Sequence, residues 1–133
     1  MVSKYYIERN IRSLSQKYNQ SKTQAEPIYY AKLAVIELCG WIEVSIDEIV
    51  EKAAVGFQAN SHHRKQFVAS IEGVYGFHEK KHLRPLIRQL IGARGLDSLE
   101  HGCDTPTLSK LYRHLNELSE IRNRLAHTYI TGF

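Results

Sequence analysis

Cysteine, proline, methionine and tryptophan are scarce in this chain of 133 residues: two, three, one and one respectively. Cys39 and Cys103 stand far apart in unrelated surroundings, which excludes a disulfide framework and fits free thiols in a reducing compartment. No apolar run nears the roughly 18 to 20 residues that cross a bilayer. The start, Met1-Val2-Ser3-Lys4-Tyr5-Tyr6, lacks the greasy core of a secretory signal. The expected setting is therefore cytoplasmic, with no membrane as partner. Strand-like alternation of useful length is missing, as are internal repeats, low-complexity stretches, Gly-rich phosphate loops and the signatures of a Ser or Cys nucleophile. A chain this short supports one hydrophobic core, so 1–133 is expected to be a single domain.

What is present is an ordinary soluble composition, 43% hydrophobic and 24% charged, which fits neither a disordered tail nor a fibrous repeat. Eighteen Lys and Arg against fourteen Asp and Glu leave a net charge of +4. The distribution says more than the sum. Between His62 and Arg94 lie Arg64, Lys65, Lys80, Lys81, Arg84, Arg88 and Arg94, against only Glu72 and Glu79. Such a basic stretch suits a polyanionic partner, or serves as a solvated face that keeps the chain soluble.

Apolar spacing predicts helices throughout. Ile7, Ile11, Leu14 and Tyr18 form one stripe of a first helix over 3–19. Thr23-Gln24-Ala25-Glu26 reads as a capping box, with Pro27 tolerated in the first turn. A second helix follows to about Val55, apolar on more than one face through Ile28, Leu33, Ile36, Leu38, Trp41, Ile42, Val44, Ile46, Ile49 and Val50, and so expected to be central. Gly40 within it suggests close approach of a neighbouring helix. Asn60 or Ser61 caps a third helix with Phe67, Ile71 and Val74 inward, closed by Gly76. Pro85 forbids an unbroken helix through that point, so a fourth begins near Leu83 and stops at Gly92 or Gly95, followed by a short polar connection. Asp104-Thr105-Pro106, a cap with proline at the first helical position, opens the last helix. The expected fold is an all-α, up-and-down bundle of about five helices.

Leu108, Leu115, Arg122 and Tyr129 repeat every seven residues, as do Leu111, Leu118 and Leu125. Arg122 therefore occupies a place that the last helix otherwise gives to leucine, and a guanidinium there calls for an anion. A carboxylate of the second helix, such as Glu37, Glu43 or Asp47, is one such anion; a phosphate is another. His127 lies five positions on, about 140° around an ideal helix. Both residues can border one groove only where the helix frays or where a second copy faces it. Glu120 and Arg124 make an i, i+4 pair on the surface.

Arg122-Asn123-x-x-x-His127, at the end of the last long helix, resembles the Arg-x4-6-His signature of the HEPN superfamily, helical bundles found in prokaryotic ribonuclease toxins and RNA-targeting defence effectors. Asn123 matches that family's preferred residue after the arginine. Arg122-x4-His127-x-Tyr129 is similar to the longer form in HEPN toxins paired with minimal nucleotidyltransferase antitoxins. The resemblance implies an HEPN-like bundle, a metal-independent endoribonuclease acting as toxin or defence effector, and catalysis by Arg122, His127 and Asn123. It further implies a cognate antitoxin of that type, and Tyr129 as a candidate modification site. HEPN bundles continue beyond the motif, so a fragment or one module of a longer chain is consistent with the match. A non-catalytic HEPN module that dimerises or binds nucleotide or RNA is the alternative.

The chemistry can be stated without the family. An RNA 2′-OH that attacks its own phosphorus needs a base, an acid for the leaving 5′-oxygen and cations around the phosphate. Histidine performs either proton task near neutral pH, and arginine's planar fork suits phosphate oxygens. One motif supplies one histidine, so a two-fold homodimer with a composite cleft is expected. Arg124, Lys80, Lys81, Arg84 and Arg88 are the candidate RNA contacts. His78, His82, His101 and Cys103 have ligand chemistry but none of the paired spacings of a zinc site. Neither metal nor cofactor is expected.

Overall fold

The structure is a computed structural model that describes residues 2–59, 61–73 and 76–130. The described residues are all-α, as the sequence predicts: α1 (Tyr5–Asn19), α2 (Ala25–Ala53), α3 (His62–Glu72), α4 (Arg84–Gly102) and α5 (Thr105–Ala126), with a 3-10 turn at Ala54–Gly56 and one turn of π-helix at Glu79–Leu83. Asn60 and Val74, given roles above, lie outside the described residues. Contacts group the chain into two compact units, 1–42 with 118–133, and 43–117.

In the first unit, α1 opens two residues later than its apolar stripe suggests. The Ser3 carbonyl accepts the indole Nε1–H of Trp41 at 3.0 Å, which holds that residue outside the helix. Ile7 is buried, Ile11 and Leu14 half-buried, and Tyr18 exposed. Asn10 donates to a carboxylate oxygen of Glu37 at 3.2 Å. The capping box before α2 forms in part: the Thr23 hydroxyl accepts from the Glu26 N–H at 3.2 Å, but the Glu26 carboxylate accepts from the Lys22 N–H at 3.0 Å, one residue before the cap, and not from Thr23. Two expectations for α2 are corrected. The helix is not sealed on every side, because Ile28, Tyr29, Ile36, Val44 and Ile49 are exposed. Gly40 is also exposed, and a Cβ built on it meets nothing within 4 Å, so no described neighbour requires glycine there.

The second unit carries an apolar cluster of Val50, Ala54, Phe67, Ile71 and Leu86, flanked by Ile46, Phe57 and Leu90. The rings of Phe57 and Phe67 lie 5.4 Å apart, and Phe77 is wholly buried. Ser61 caps α3 by accepting the Arg64 N–H at 3.1 Å. That helix ends at Glu72 with Gly73 as its C-cap, not at Gly76. Gly76 instead sits at φ +142°, where an added Cβ would lie 2.7 Å from the His82 ring. Helical structure begins a turn before the expected fourth helix: the Leu83 N–H reaches five residues back to the His78 carbonyl at 3.1 Å, giving the wide turn that leads into Pro85.

The largest correction concerns α4. Gly92 does interrupt the helix, with φ 75° and ψ 171°, a conformation open to glycine and strained for other residues. The chain then re-enters the helical region and continues to Gly102, through the stretch expected to be a loop. A kink at glycine explains the interruption. Gly95 also fits the bend, since a Cβ there would come within 2.8 Å of the Ile91 side chain.

A polar network ties this unit together. Arg84 forms two bonds to Glu100, Nε at 2.8 Å and Nη2 at 3.2 Å, and its Nη1 lies 3.9 Å from Glu79. Tyr112 donates its hydroxyl to Glu100 at 3.3 Å, and the Glu79 N–H is taken by Asn116 Oδ1 at 2.9 Å. These bonds raise the Arg84 pKa further, the Glu100 hydrogen bond being the main cause; burial, more than Glu100, raises that of Tyr112.

Candidate functional site

The motif stands on α5, whose start is fixed chemically. Asp104 Oδ2 accepts both the N–H of Thr107 at 3.1 Å and its hydroxyl at 2.6 Å. Those two bonds, the hydroxyl's first, hold the Asp104 carboxyl below its usual range. Thr105 takes the first helical position and Pro106 the second, one place later than the spacing suggests. Along α5 the heptad reading holds in part: Leu115 is buried, Leu108, Leu118 and Leu125 are half-buried, and Leu111 is exposed. Ser119, which the leucine pattern does not mark, is buried instead.

The helix stops at Ala126, one residue before the histidine. The local bonding explains why. The His127 N–H reaches back only three residues to the Arg124 carbonyl at 3.2 Å, and both the N–H and the hydroxyl of Thr128 turn onto the Leu125 carbonyl, at 3.4 and 3.2 Å. The last turn is thereby tightened and two orphan carbonyls are satisfied. His127 thus sits in a turn, exposed, and no longer follows the helical register of Arg122. Arg122 is half-buried and already engaged by the protein. Asn123 and Arg124 are exposed on the final turn, and Tyr129 is 86% exposed beyond it, more open than the half-buried ring that a tyrosine usually makes.

One helix end therefore gathers Arg122, Asn123, Arg124, His127 and Tyr129 within the first unit. The other basic candidates belong to the second unit. Lys80 and Lys81 are exposed on the π-turn and Arg88 is exposed on α4, while Arg84 is committed to Glu100 and Glu79. Histidines with ligand chemistry do not assemble: His78 donates its N–H to His82 Nδ1 at 3.2 Å, and among the described residues no three of His, Cys, Asp and Glu are placed to hold a metal ion.

Lys32 is the residue that the sequence did not mark. Its ammonium donates to the Thr128 carbonyl at 2.6 Å, joining positions 96 apart. This bond pins the segment after α5 to the first third of α2. Tyr29, Lys32, Leu33, Ile36, Thr128, Tyr129 and Ile130 line a groove of about 370 Å³ there. A cavity of about 660 Å³ in the second unit, beside Phe57, His63 and Phe67, has no Asp, Glu, Lys or Arg among the described residues that line it. No protein-family model, curated protein or solved structure matches the chain.

Proposed function

We propose that this chain is an HEPN-type endoribonuclease that cuts RNA without a metal ion, through a site completed by a second copy. The observation that supports it most is the end of α5 at Ala126. On an unbroken helix Arg122 and His127 would point about 140° apart. With the helix closed one residue earlier, the histidine lies in an exposed turn beside the last helical residues, free of that constraint.

In this reading the O2′ of RNA attacks its adjacent phosphorus as one imidazole takes the hydroxyl proton. The O2′–P bond forms and the P–O5′ bond breaks. The second copy's imidazolium then gives its proton to the leaving O5′, leaving a 2′,3′-cyclic phosphate and a 5′-hydroxyl. Arg122, whose planar guanidinium fork matches phosphate geometry, bonds the phosphate oxygens. Asn123 orients the imidazole or the phosphate. Arg124, Lys80, Lys81 and Arg88 supply attraction for the RNA backbone irrespective of sequence; Arg84 keeps its carboxylate partners. The setting is a cytoplasmic toxin or defence effector, with an antitoxin of the minimal nucleotidyltransferase type and Tyr129 as the residue that it modifies.

The half-burial of Arg122 favours one second reading, a non-catalytic HEPN module in which that arginine is a polar anchor. Cleavage of generic RNA by the parent and by His127→Ala separates the two. The nuclease reading expects the variant to be slower by a factor of about 100 or more, undiminished cleavage in EDTA, and a bell-shaped pH–rate profile from two coupled imidazoles. Equal cleavage by parent and variant, or no cleavage by the parent, leaves the module.

A further inference from the structure

The groove beside Lys32 has a composition that the cleavage chemistry does not use. Its floor is apolar, from Leu33 and Ile36, and two tyrosines border it. Tyr129 is 86% and Tyr29 44% exposed, and Tyr30 meets the Tyr29 ring edge-on at 5.6 Å, bracing it. Among the described residues Lys32 is the one charged residue in the lining. Its ammonium is fixed by the Thr128 carbonyl, and a lysine has three N–H donors, so two remain. The groove's volume, about 370 Å³, falls at the small end of the range for clefts that hold small ligands or single groups of larger ones. Thr128 and Tyr129 directly follow His127 in the chain.

Exposed aromatic rings take nucleobases of any identity by stacking, and a held cation beside them takes the backbone phosphate. We propose that this groove is a nucleotide subsite for single-stranded RNA: a base next to the scissile linkage stacks on Tyr129 and Tyr29 over the apolar floor, and Lys32 pairs with the phosphate of that nucleotide. The inference rests on the ribonuclease reading for its place in the reaction, but its binding can be measured without cleavage. Among the described residues the lining holds a cation and no carboxylate, which favours a phosphate-bearing ligand over a second protein surface. The subsite accounts for two exposed rings where tyrosines ordinarily stay half-buried.

The test uses the full chain carrying His127→Ala and a labelled single-stranded RNA of about ten nucleotides, within the usual span of such sites, read by fluorescence anisotropy. Adding Tyr129→Ala or Tyr29→Ala is expected to weaken binding about tenfold each, and Tyr129→Phe to retain it. Tyr6→Ala, which removes another exposed ring, is expected to leave it unchanged. Lys32→Gln keeps a donor for Thr128 while removing the charge, and should lower the slope of log affinity against log salt by about 0.7. Unchanged affinity in both alanine variants, or loss equal to that of Tyr6→Ala, overturns the proposal. So does sedimentation showing that the tyrosine variants turn a dimer into monomers with RNA affinity per protomer intact, because the groove would then seat a second copy. Failure of the two readings is distinguishable. A parent that cuts no RNA but binds it through these tyrosines keeps the subsite and loses the nuclease. A parent that cuts RNA while the tyrosine variants keep its KM and affinity does the reverse.

Discussion

The unit formed by 43–117 draws Val50, Ala54, Phe67, Ile71 and Leu86 into a shared cluster, encloses Phe77 completely and ties Arg84 to Glu100. The unit of 1–42 with 118–133 buries Ile7, Ala25, Cys39 and Ser119 among its described residues, and leaves Tyr5, Tyr6, Tyr18, Ile28, Tyr29, Ile36 and Tyr129 in solvent. Both units leave large aliphatic side chains in solvent, Val44, Ile49, Val55 and Leu111 in the one and Ile28 and Ile36 in the other; among the described residues, however, the large exposed aromatic rings all belong to the unit of 1–42 with 118–133. The arginine and histidine of the motif belong to that unit. Large aromatics left on a surface are a common mark of a place where something binds.

Substitutions can break this contrast in a graded order. Phe77→Ala removes a wholly buried ring of the 43–117 unit and is expected to lower stability by about 3–5 kcal/mol, seen as a drop in Tm of about 10 °C or more by circular dichroism. A comparable loss from Tyr129→Ala would erase the distinction between the units. Glu100→Gln leaves the Arg84 cation facing a neutral amide. A fully buried pair would lose more, but the Arg84 side chain is 34% exposed, and about 1–2 kcal/mol is expected from denaturant midpoints.

Smaller effects sharpen the comparison from the other side. Gly40→Ala adds a methyl where nothing lies within 4 Å, so α2 should gain about 0.5–1 kcal/mol; a loss would reveal a neighbour that reaches Gly40 in solution. Asp47→Asn tests the acidic side of the same helix. Burial first, then Glu51 and Glu43, raise the Asp47 pKa. The folded chain therefore holds that proton more tightly than the unfolded one. Its contribution to stability is present below the ordinary carboxyl value of 3.8 and is lost as pH rises through the raised value. The amide should stabilise the chain at neutral pH by about 0.2–0.5 kcal/mol, the scale of like charges one turn apart, and the gain should vanish in acid.

Much of the helical layout was legible because local chemistry determines it. Thr23, Ser61 and Asp104 announce three helix starts, and each bonds the backbone as its residue type requires. The course of α4 was not legible. Glycine at 92 does break the helix, but whether a chain resumes helical geometry after a break depends on packing, and Leu96, which the break precedes, is buried. The π-turn was hidden for a similar reason, since its signature is the Leu83–His78 bond and not a residue pattern. At the candidate site, heptad spacing singled out Arg122, and the resemblance to the HEPN signature singled out His127. The end of α5 between them depends on the Thr128 hydroxyl, and the tie from Lys32 spans 96 positions, a separation that no local pattern encodes.

The solitary tryptophan offers one last consequence. Trp41 anchors the Ser3 carbonyl within the first unit, and the chain has no other indole. Its emission therefore reports detachment of the amino-terminal arm, whereas far-ultraviolet ellipticity averages over every helix. Melting curves recorded with the two probes overlay if the chain unfolds as a single cooperative body, and they separate if the arm lets go first.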